Sequence, residues 1–491
     1  MTVDEATGAR ILRCYVGGEW VEADAPGGAL EDRNPATGEL SALVPLSGSD
    51  DVDAAVRAAR EAQPAWSAVP VQRRARVVMA LREALWARRE DIARLVTEDM
   101  GKTLPDARGE VLRGIESAEA AAGIPHLLKG ENLEGVGPGV DVELVRQPVG
   151  VVAAITPFNF PAMIPLWFLP YAIACGNSFI LKPSERDPRP AQLMFELIDE
   201  LDGLPAGTVN LVHGGRDAVD ALLEHPGVDA ISFVGQASTA RHVAERSAAT
   251  GKRFQALGGA KNSLVVMPDA DLDASVPAMM SSAFGAAGQR CLAGSVAVLV
   301  GDSRRQDEVL DTLVRAAAGL SVGPGDEEGV DVCPLIAPEA RERVVAALDR
   351  AAADGAEILL DGRGEAGGPG QTLVGPSIVV TDDLESDLVR EEIFGPLLAV
   401  VRAADLDEAL AFVNGSRYGN AGSIFTRSGA AARAYRQGAE AGMLGVNIGV
   451  AAPVAWFPFS GWKDSIDGDL HANGSDSVEF YTRKKVVTSR W

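Results

Sequence analysis

The spacing of hydrophobic and polar positions changes along the chain and divides it into regions of different predicted structure. Between Asp50 and Leu128, apolar residues recur at intervals of three and four, which predicts successive amphipathic helices. From Val149 onward, short apolar runs (VGVVAAITPF, NSFILKPS, TVNLVHG, AISFVG) alternate with helical segments. This βαβ rhythm predicts a doubly wound parallel sheet, whose ligands bind at the carboxyl ends of the strands.

A second alternating stretch runs from Leu257 to Ile448 and predicts another α/β domain. Its strands include NSLVVM, SVAVLVG and LLAVV, and one of its helices is expected over 273–287. Residues 139–148 and the tail VEFYTRKKVVTS alternate apolar and polar side chains, so both are predicted strands. Together they form a small β arm, which we place at a subunit boundary.

Composition and charge exclude several classes of function. The formal net charge of -24 opposes sequence-independent binding to nucleic acid and docking on an anionic membrane. The four cysteines form no CxxC pair and the five histidines show no metal-ligand spacing, so no disulfide framework and no metal site is expected. The N-terminus MTVDEATGAR carries no apolar signal core, and the apolar stretch 160–175 is too short to span a bilayer comfortably. We therefore expect a cytoplasmic protein in which 160–175 is a buried helix.

Cys291 is the first candidate for chemistry. It lies in FGAAGQRCLAGS, where small residues let the backbone approach a nucleophile closely. The neighbouring Arg290 would favour the thiolate, which is the reactive form of cysteine. The alternative is that Cys291 is a buried structural cysteine.

Asn159, in ITPFNFP, follows the first apolar strand of the βαβ region. Its amide, with the backbone N–H of Cys291, would stabilise the oxyanion that forms when a thiolate attacks a carbonyl. The alternative is an asparagine that only shapes a turn.

Three further motifs fit a dinucleotide. Lys182 and Glu185 in LKPSE can bond ribose hydroxyls, and a glutamate there repels a 2′-phosphate, which favours NAD over NADP. Gly235 in FVGQASTA opens a helix after a strand, although a single glycine is a weak signal. In EEIFGP, Glu392 can hold a second ribose and Phe394 can pack on a nicotinamide.

Five motifs in one order (ITPFNFP, LKPSE, FVGQ, GQRC, EEIFGP) resemble the aldehyde dehydrogenase superfamily over essentially the whole chain. The resemblance implies an NAD-binding domain, a catalytic domain and a small oligomerisation arm, and hence a homo-oligomer. The implied bounds are 1–126 and 149–256 for the NAD-binding domain, 257–448 for the catalytic domain with 449–472 returning to the cofactor side, and 127–148 with 473–491 for the arm.

The resemblance also implies a role for each motif residue. Cys291 becomes the nucleophile and Asn159 the oxyanion donor. The implied cofactor contacts are Phe158, Lys182, Glu185, Gly235, Glu392 and Phe394.

One departure from the superfamily is informative. Hydrolytic members carry a glutamate in a Leu-Glu-Leu-Gly-Gly segment, and here the segment is QALGGAKN, which places Ala256 at that position. General-base help contributes about 10²–10⁴-fold, so water attack on a thioester should be slow without it. A thiol needs this help less. The motifs GAKN and GQRC, with a tail FSGWKDS…VEFYTRKKVVTS, resemble the CoA-acylating methylmalonate-semialdehyde dehydrogenase branch.

That branch acts on a semialdehyde that carries a carboxylate, for which a guanidinium is a suitable partner. Arg290 and Arg113 are the candidates, and Phe459 and Trp167 are expected to line the aldehyde tunnel; a surface arginine and ordinary core packing are the alternatives. The implied reaction is NAD-dependent oxidation with decarboxylation and acyl transfer to coenzyme A, giving propionyl-CoA or acetyl-CoA. A hydrolytic semialdehyde dehydrogenase and, more remotely, a non-catalytic protein on this fold are the rivals.

The sequence leaves three properties open. The substrate is malonate or methylmalonate semialdehyde, the pathway is valine or inositol breakdown, and the oligomer is a dimer or a tetramer. In the tail, Ile466 and Asp467 stand where the branch has two aromatic residues, which affects the finer substrate preference.

Overall fold

Two mainly parallel sheets with helices packed on them form the body of the molecule in the computed structural model, which describes residues 9–364 and 367–491. Residues 1–8, which hold most of the segment searched for a signal core, and residues 365–366 of the expected catalytic domain lie outside the described residues. The predicted α/β fold class is confirmed. The domain boundaries stay predictions.

The region between Asp50 and Leu128 is helical, as its three- and four-residue spacing predicts, and helices also join the strands of both sheets. The α-helices of the described residues are Ser49–Ser67, Val71–Ala87, Arg89–Met100, Leu104–Ala122, Ile124–Leu127, Met163–Ala174, Arg189–Asp199, Arg216–Glu224, Ala237–Ala249, Leu272–Phe284, Ser303–Ala318, Pro338–Ala353, Asp387–Arg390, Leu406–Asn414, Gly429–Gly438 and Gly474–Phe480.

The first sheet has a parallel centre and antiparallel edges. Its strands, in spatial order, are Ile466–Asp467, Arg253–Leu257, Ala230–Val234, Val151–Ile155, Ser178–Lys182, Val209–Leu211, Cys14–Val16 and Glu19–Val21. Alternate residues face different cores: Val151 and Ala153 pack with one cluster of buried residues, and Val152 and Ala154 with another. Both faces are therefore covered, which is why the central strands read as continuous apolar runs.

The second sheet repeats the same plan. Its strands are, in spatial order, Glu357–Leu360, Ser377–Val380, Leu397–Ala403, Gly294–Val300, Asn262–Val266, Ala421–Phe425 and Met443–Val446. All neighbours pair in parallel except the first pair, which is antiparallel. The remaining strands form two small sheets, Arg10–Ile11 with Leu40–Pro45 and Ala29–Arg33, and Tyr418–Gly419 with Trp462–Lys463.

The β arm is a three-stranded antiparallel sheet in which Val140–Pro148 lies between Glu131–Gly137 and Thr482–Arg490. The strand predicted at 139–148 is confirmed. The tail prediction was wrong at its start, because residues 478–480 belong to the helix Gly474–Phe480, where Val478 and Phe480 are buried in the first core. The strand begins only at Thr482 and pairs with Val140–Pro148 of the same chain.

The apolar stretch 160–175 contains the buried helix Met163–Ala174. Every residue from Ile164 to Ala174 is buried, as expected for a helix that is hydrophobic on all sides. Among the described residues, no helix combines the length and the apolar character that crossing a bilayer requires. This helix packs against Leu104–Ala122, and the two together form one wall of the site described next.

Candidate active site

Two pockets meet at Cys291. One, of about 410 Å³, contains Arg113 and Arg290 and is called the arginine pocket below. The other, of about 290 Å³, contains Glu392 and Phe394 and is called the glutamate pocket. Cys291 lines both, so a group that enters from either side reaches the same sulfur.

A sharp reversal of the chain brings Cys291 to this position. The helix predicted over 273–287 ends at Phe284 instead, and a short 3₁₀ turn follows. Ala286 and Ala287 have φ angles of 49° and 52°, left-handed values that non-glycine residues rarely adopt. Asp106 accepts a hydrogen bond from the Ala286 N–H (3.2 Å) and so helps to hold the turn. The periodicity of 273–287 could not reveal this break, because alanine is a good helix former.

The electrostatic environment of Cys291 is mixed. Burial raises the pKa of its thiol to about 12, and the charge of Glu392 acts in the same direction. The backbone N–H groups of Cys291 and Leu292 and the charge of Arg290 oppose that rise in pKa. Arg290 therefore acts in the predicted direction, but burial outweighs it. In this state the thiol is protonated at neutral pH.

Asn159 is buried beside the loop that precedes Cys291. Its Nδ2 donates to the carbonyl oxygen of Gln289 (3.1 Å), and the residue lines the glutamate pocket next to Phe158. The Asn159 carbonyl accepts a hydrogen bond from Lys102 Nζ (2.7 Å). The predicted oxyanion donor is therefore hydrogen-bonded to Gln289, which lies two residues before the predicted nucleophile.

Lys102 and Glu110 form a buried ion pair (2.6 Å) that the sequence analysis missed. The second oxygen of Glu110 accepts from the backbone N–H groups of Ala162 and Met163 (2.8 and 3.1 Å), so the pair ties the Asn159 segment to the helix Leu104–Ala122. One signal was available. Glu110 interrupts the apolar face of that helix, and a buried carboxylate requires a partner.

The cofactor candidates line two adjoining cavities. Lys182 and Glu185 form an ion pair (2.8 Å) in a cleft of about 600 Å³, called the outer cleft, which shares Phe158 and Gly235 with the glutamate pocket. Burial alone would raise the pKa of Glu185, but the charge and hydrogen bond of Lys182 bring it below the usual value. A Cβ on Gly235 would collide with the ring of Phe233, so a larger residue here would require that ring to move.

Glu392 and Phe394 occupy the glutamate pocket, as expected from EEIFGP. Burial is the main cause that raises the pKa of Glu392 to about 7, while a hydrogen bond from the Ala260 N–H (3.1 Å) opposes the rise. The rings of Phe394 and Phe158 meet edge to face, with their centroids 5.9 Å apart. The sequence-predicted cofactor residues are thus brought to one continuous surface, and their individual roles stay proposals.

The arginine pocket assembles the four predicted substrate residues. Arg113 lies on the face of Leu104–Ala122 that also carries Asp106 and Glu110, because residues three and four apart share a helix face. Arg113 pairs with Glu116 (3.2 Å) and remains partly exposed, while Arg290 donates to the Ser281 carbonyl. Trp167 and Phe459 stack at 4.7 Å between centroids and supply an apolar wall.

The segment QALGGAKN begins in the strand Arg253–Leu257 of the first sheet. Ala256 and Leu257 are buried in the cores on opposite faces of that sheet, as successive residues of a strand must be. Neither residue lines the arginine pocket or the glutamate pocket. Neither is a carboxylate, and the absence of a base at position 256 stays a prediction.

The sequence profile described as "Aldehyde dehydrogenase family" matches residues 20–487. The chain belongs to the aldehyde dehydrogenase family. Its curated relatives include malonate-semialdehyde dehydrogenase 1 of Geobacillus kaustophilus, which is 49% identical over 484 residues and covers 98% of each chain. Malonate-semialdehyde dehydrogenase of Halalkalibacterium halodurans is 46% identical over 486 residues and covers 99% of each chain.

Solved structures show the same relationship. The methylmalonate-semialdehyde dehydrogenase of Oceanimonas doudoroffii is 44% identical to this aldehyde dehydrogenase, with a TM-score of 0.95 and 98% of each chain covered. A Sinorhizobium meliloti protein solved in complex with NAD is also 44% identical, with a TM-score of 0.94 and the same coverage. The family resemblance inferred from the five motifs is confirmed.

Proposed function

We propose that this aldehyde dehydrogenase oxidises malonate or methylmalonate semialdehyde with NAD and transfers the acyl group to coenzyme A through a thioester on Cys291. The observation that carries the proposal is the position of Cys291, shared by a pocket with two arginines and a pocket with cofactor-type residues. The names of the relatives agree with this substrate class.

The residues of the chain account for the chemistry at the carbonyl carbon. The Cys291 thiol first loses its proton to solvent, and the thiolate sulfur then forms a C–S bond to that carbon. The Asn159 amide and the Cys291 N–H donate to the oxyanion that results. When bound, NAD accepts the hydride that leaves the carbon. As the carbonyl re-forms, the oxyanion gives up its charge and a thioester remains on Cys291.

The outer cleft and the glutamate pocket fit a dinucleotide. Together they provide a surface continuous through Phe158 and Gly235. Lys182 and Glu185 would hold the adenosine ribose, and Glu392 the nicotinamide ribose beside Phe394. The carboxylate of Glu185 favours a free 2′-hydroxyl over a 2′-phosphate, which supports NAD.

The arginine pocket fits the carboxylate of the semialdehyde. Arg290 Nε is buried and has no hydrogen-bond partner among the described residues, so it can still donate to a ligand. Arg113, partly exposed on the same pocket, supplies a second guanidinium. Two such donors would bind the β-carboxylate in the acylation step. Loss of that carboxylate as CO₂ or bicarbonate leaves an acetyl or propionyl group.

Coenzyme A is favoured over water as the acyl acceptor. The position at which hydrolytic members carry a glutamate holds Ala256, and an alanine cannot take a proton from water. The thiol of coenzyme A is partly ionised at neutral pH and needs no such base. In this step the coenzyme A sulfur forms a bond to the acyl carbon, and Cys291 leaves as a thiolate.

We further propose that two or more copies associate through the β arm and that the protein works in the cytoplasm. On the arm, Leu133, Val136, Val486 and Trp491 are exposed, and such a set of apolar residues favours a second copy of the chain. Dimer and tetramer both satisfy this arrangement. All four cysteines are free, which suits a reducing compartment.

Trapping the intermediate tests the proposal. Enzyme mixed with NAD and malonate semialdehyde in the absence of coenzyme A should give a burst of NADH of about one per functional site. Peptide mass spectrometry should then find an acyl group on Cys291. Steady NADH formation without coenzyme A, with no adduct on Cys291, would exclude the acylating function.

A further inference from the structure

The carbonyl oxygen of Cys291 accepts hydrogen bonds from two side-chain amides. Asn262 Nδ2 and Asn420 Nδ2 each donate to it at 2.8 Å. Both asparagines are buried, with 3% and 5% of their surfaces exposed. The mechanism above uses neither residue, since the oxyanion is assigned to Asn159.

The two asparagines are held by the rigid part of the second sheet. Asn262 begins the strand Asn262–Val266, and Asn420 immediately precedes the neighbouring strand Ala421–Phe425. Asn262 also donates to the Ala293 carbonyl (2.9 Å) and accepts from the Ala421 N–H (3.0 Å). Side chains from two adjacent strands are therefore hydrogen-bonded to the turn around Cys291. Groups on strands are positioned more precisely than groups on loops.

The Cys291 carbonyl that accepts these two hydrogen bonds belongs to a peptide unit whose N–H acts on the Cys291 sulfur. The C=O of Cys291 and the N–H of Leu292 lie in one plane, so fixing one fixes the direction of the other. The Leu292 N–H acts on the Cys291 sulfur as a backbone donor that lowers the pKa of the thiol. Donors at the carbonyl also polarise the peptide and strengthen its N–H as a donor.

We propose that Asn262 and Asn420 are positioning residues that aim the Leu292 N–H at the Cys291 sulfur and so favour the thiolate. This inference rests on the proposed role of Cys291 as the nucleophile. It adds an electrostatic role for the catalytic sheet, which acts through one peptide unit rather than by touching the substrate.

Asn414 provides a matched control elsewhere in the same domain. Its Nδ2 donates to the Gly438 carbonyl (2.8 Å), and its Oδ1 accepts from the Glu440 N–H (2.8 Å), which is the bonding pattern of Asn262. None of these partners belongs to the turn around Cys291. An Asn414→Leu substitution therefore removes comparable hydrogen bonds and leaves the peptide unit of Cys291 intact.

The test is the pH profile of alkylation by iodoacetamide, measured on the full-length enzyme without substrate. Cys14, Cys175 and Cys333 are buried, so the reaction reports Cys291, with Cys291→Ala as the blank. Asn420→Leu should raise the apparent pKa by about half a unit to one unit, which lowers the alkylation rate at neutral pH about three- to tenfold. Asn262→Ala should act in the same direction, and the double variant should exceed either.

The control separates positioning from folding. Asn414→Leu should lower Tm and leave the alkylation profile unchanged. If Asn420→Leu does not fold, Asn420→Ala takes its place, because it removes the same donor and its smaller side chain does not crowd the site. An unchanged profile in whichever Asn420 variant folds would overturn the inference. Because alkylation does not require turnover, that result is distinct from a Cys291→Ala enzyme that still forms NADH, which would overturn the proposed function.

Discussion

The arginine pocket and the glutamate pocket share Cys291, and each is lined by two arginines as well as by carboxylates. They differ less in charge than in their aromatic walls and in burial. The arginine pocket has the tilted Trp167–Phe459 pair, and its Arg113 is partly exposed. The glutamate pocket has two rings that meet edge to face and a buried carboxyl, Glu392, whose pKa is raised by burial. Under the proposed function, the first pocket takes the semialdehyde and the second takes the cofactor.

Cys291→Ala removes the atom that the two pockets share and should have the largest effect. NADH formation should fall by about 10⁴-fold or more, because covalent catalysis is lost as a whole. Binding of NAD, followed by fluorescence quenching, should be retained, since the glutamate pocket and the outer cleft are unchanged. Activity close to that of the parent enzyme would show that the pockets do not meet at the reacting atom.

Ala256→Glu places a carboxylate at the position where the resemblance to hydrolytic members implies one. It should raise the rate of thioester hydrolysis without coenzyme A by about 10²-fold, the lower range for a general base. The measurement is release of free acid in the absence of coenzyme A.

Leu257→Glu is the matched control for that change. It buries a carboxylate in the core one position further along the strand, so it should lower Tm without accelerating hydrolysis. Faster hydrolysis in Leu257→Glu than in Ala256→Glu would contradict the placement of the missing base at position 256.

Arg290→Leu and Arg113→Leu each remove a guanidinium from the arginine pocket. Each should lower kcat/KM for malonate semialdehyde about 10- to 100-fold, because a hydrogen bond to a charged group is lost. Arg113→Leu should leave propanal oxidation nearly unchanged, whereas Arg290→Leu should lower it to a smaller extent, because the Arg290 charge also favours the Cys291 thiolate. Arg108→Leu, on the same helix but exposed and paired with Glu90, is the control. Equal losses of kcat/KM with malonate semialdehyde and with propanal would show that the arginines do not bind the substrate carboxylate.

Glu392→Gln changes only the glutamate pocket and should have the smallest effect on the free enzyme. Burial raises the pKa of Glu392 to about 7, so the folded protein binds a proton that the unfolded chain releases near its ordinary value of 4.5. Stability contributed by this group is therefore greatest at low pH and declines as pH rises from about 4.5 to 7. Between pH 4.5 and 7, the Tm of Glu392→Gln should fall less steeply with pH than the Tm of the parent enzyme. Parallel plots of Tm against pH for the two proteins would refute the raised pKa of Glu392.

Much of the two pockets could be predicted from the sequence because their residues lie in short motifs at strand and helix ends. Cys291, Asn159, Lys182 and Glu392 all come from such motifs, and the structure places them on one connected surface. The βαβ rhythm was enough for the two sheets, since buried parallel strands read as apolar runs.

The remaining features depend on interactions that periodicity does not encode. The turn at Ala286 is held in part by a carboxylate from a distant helix. The helix at 478–480 forms because its apolar residues pack in a core that the local pattern does not show. The Lys102–Glu110 pair joins residues that are recognisable only once their burial is known.

Product analysis by mass spectrometry, with and without coenzyme A, tests the central claim most directly. With NAD, malonate semialdehyde and coenzyme A, the account predicts acetyl-CoA, one carbon leaving as CO₂ or bicarbonate, and one NADH for each acetyl-CoA. Without coenzyme A, turnover should stop after the acyl group is on Cys291. Equal turnover without coenzyme A, with a free acid as the product, would contradict it.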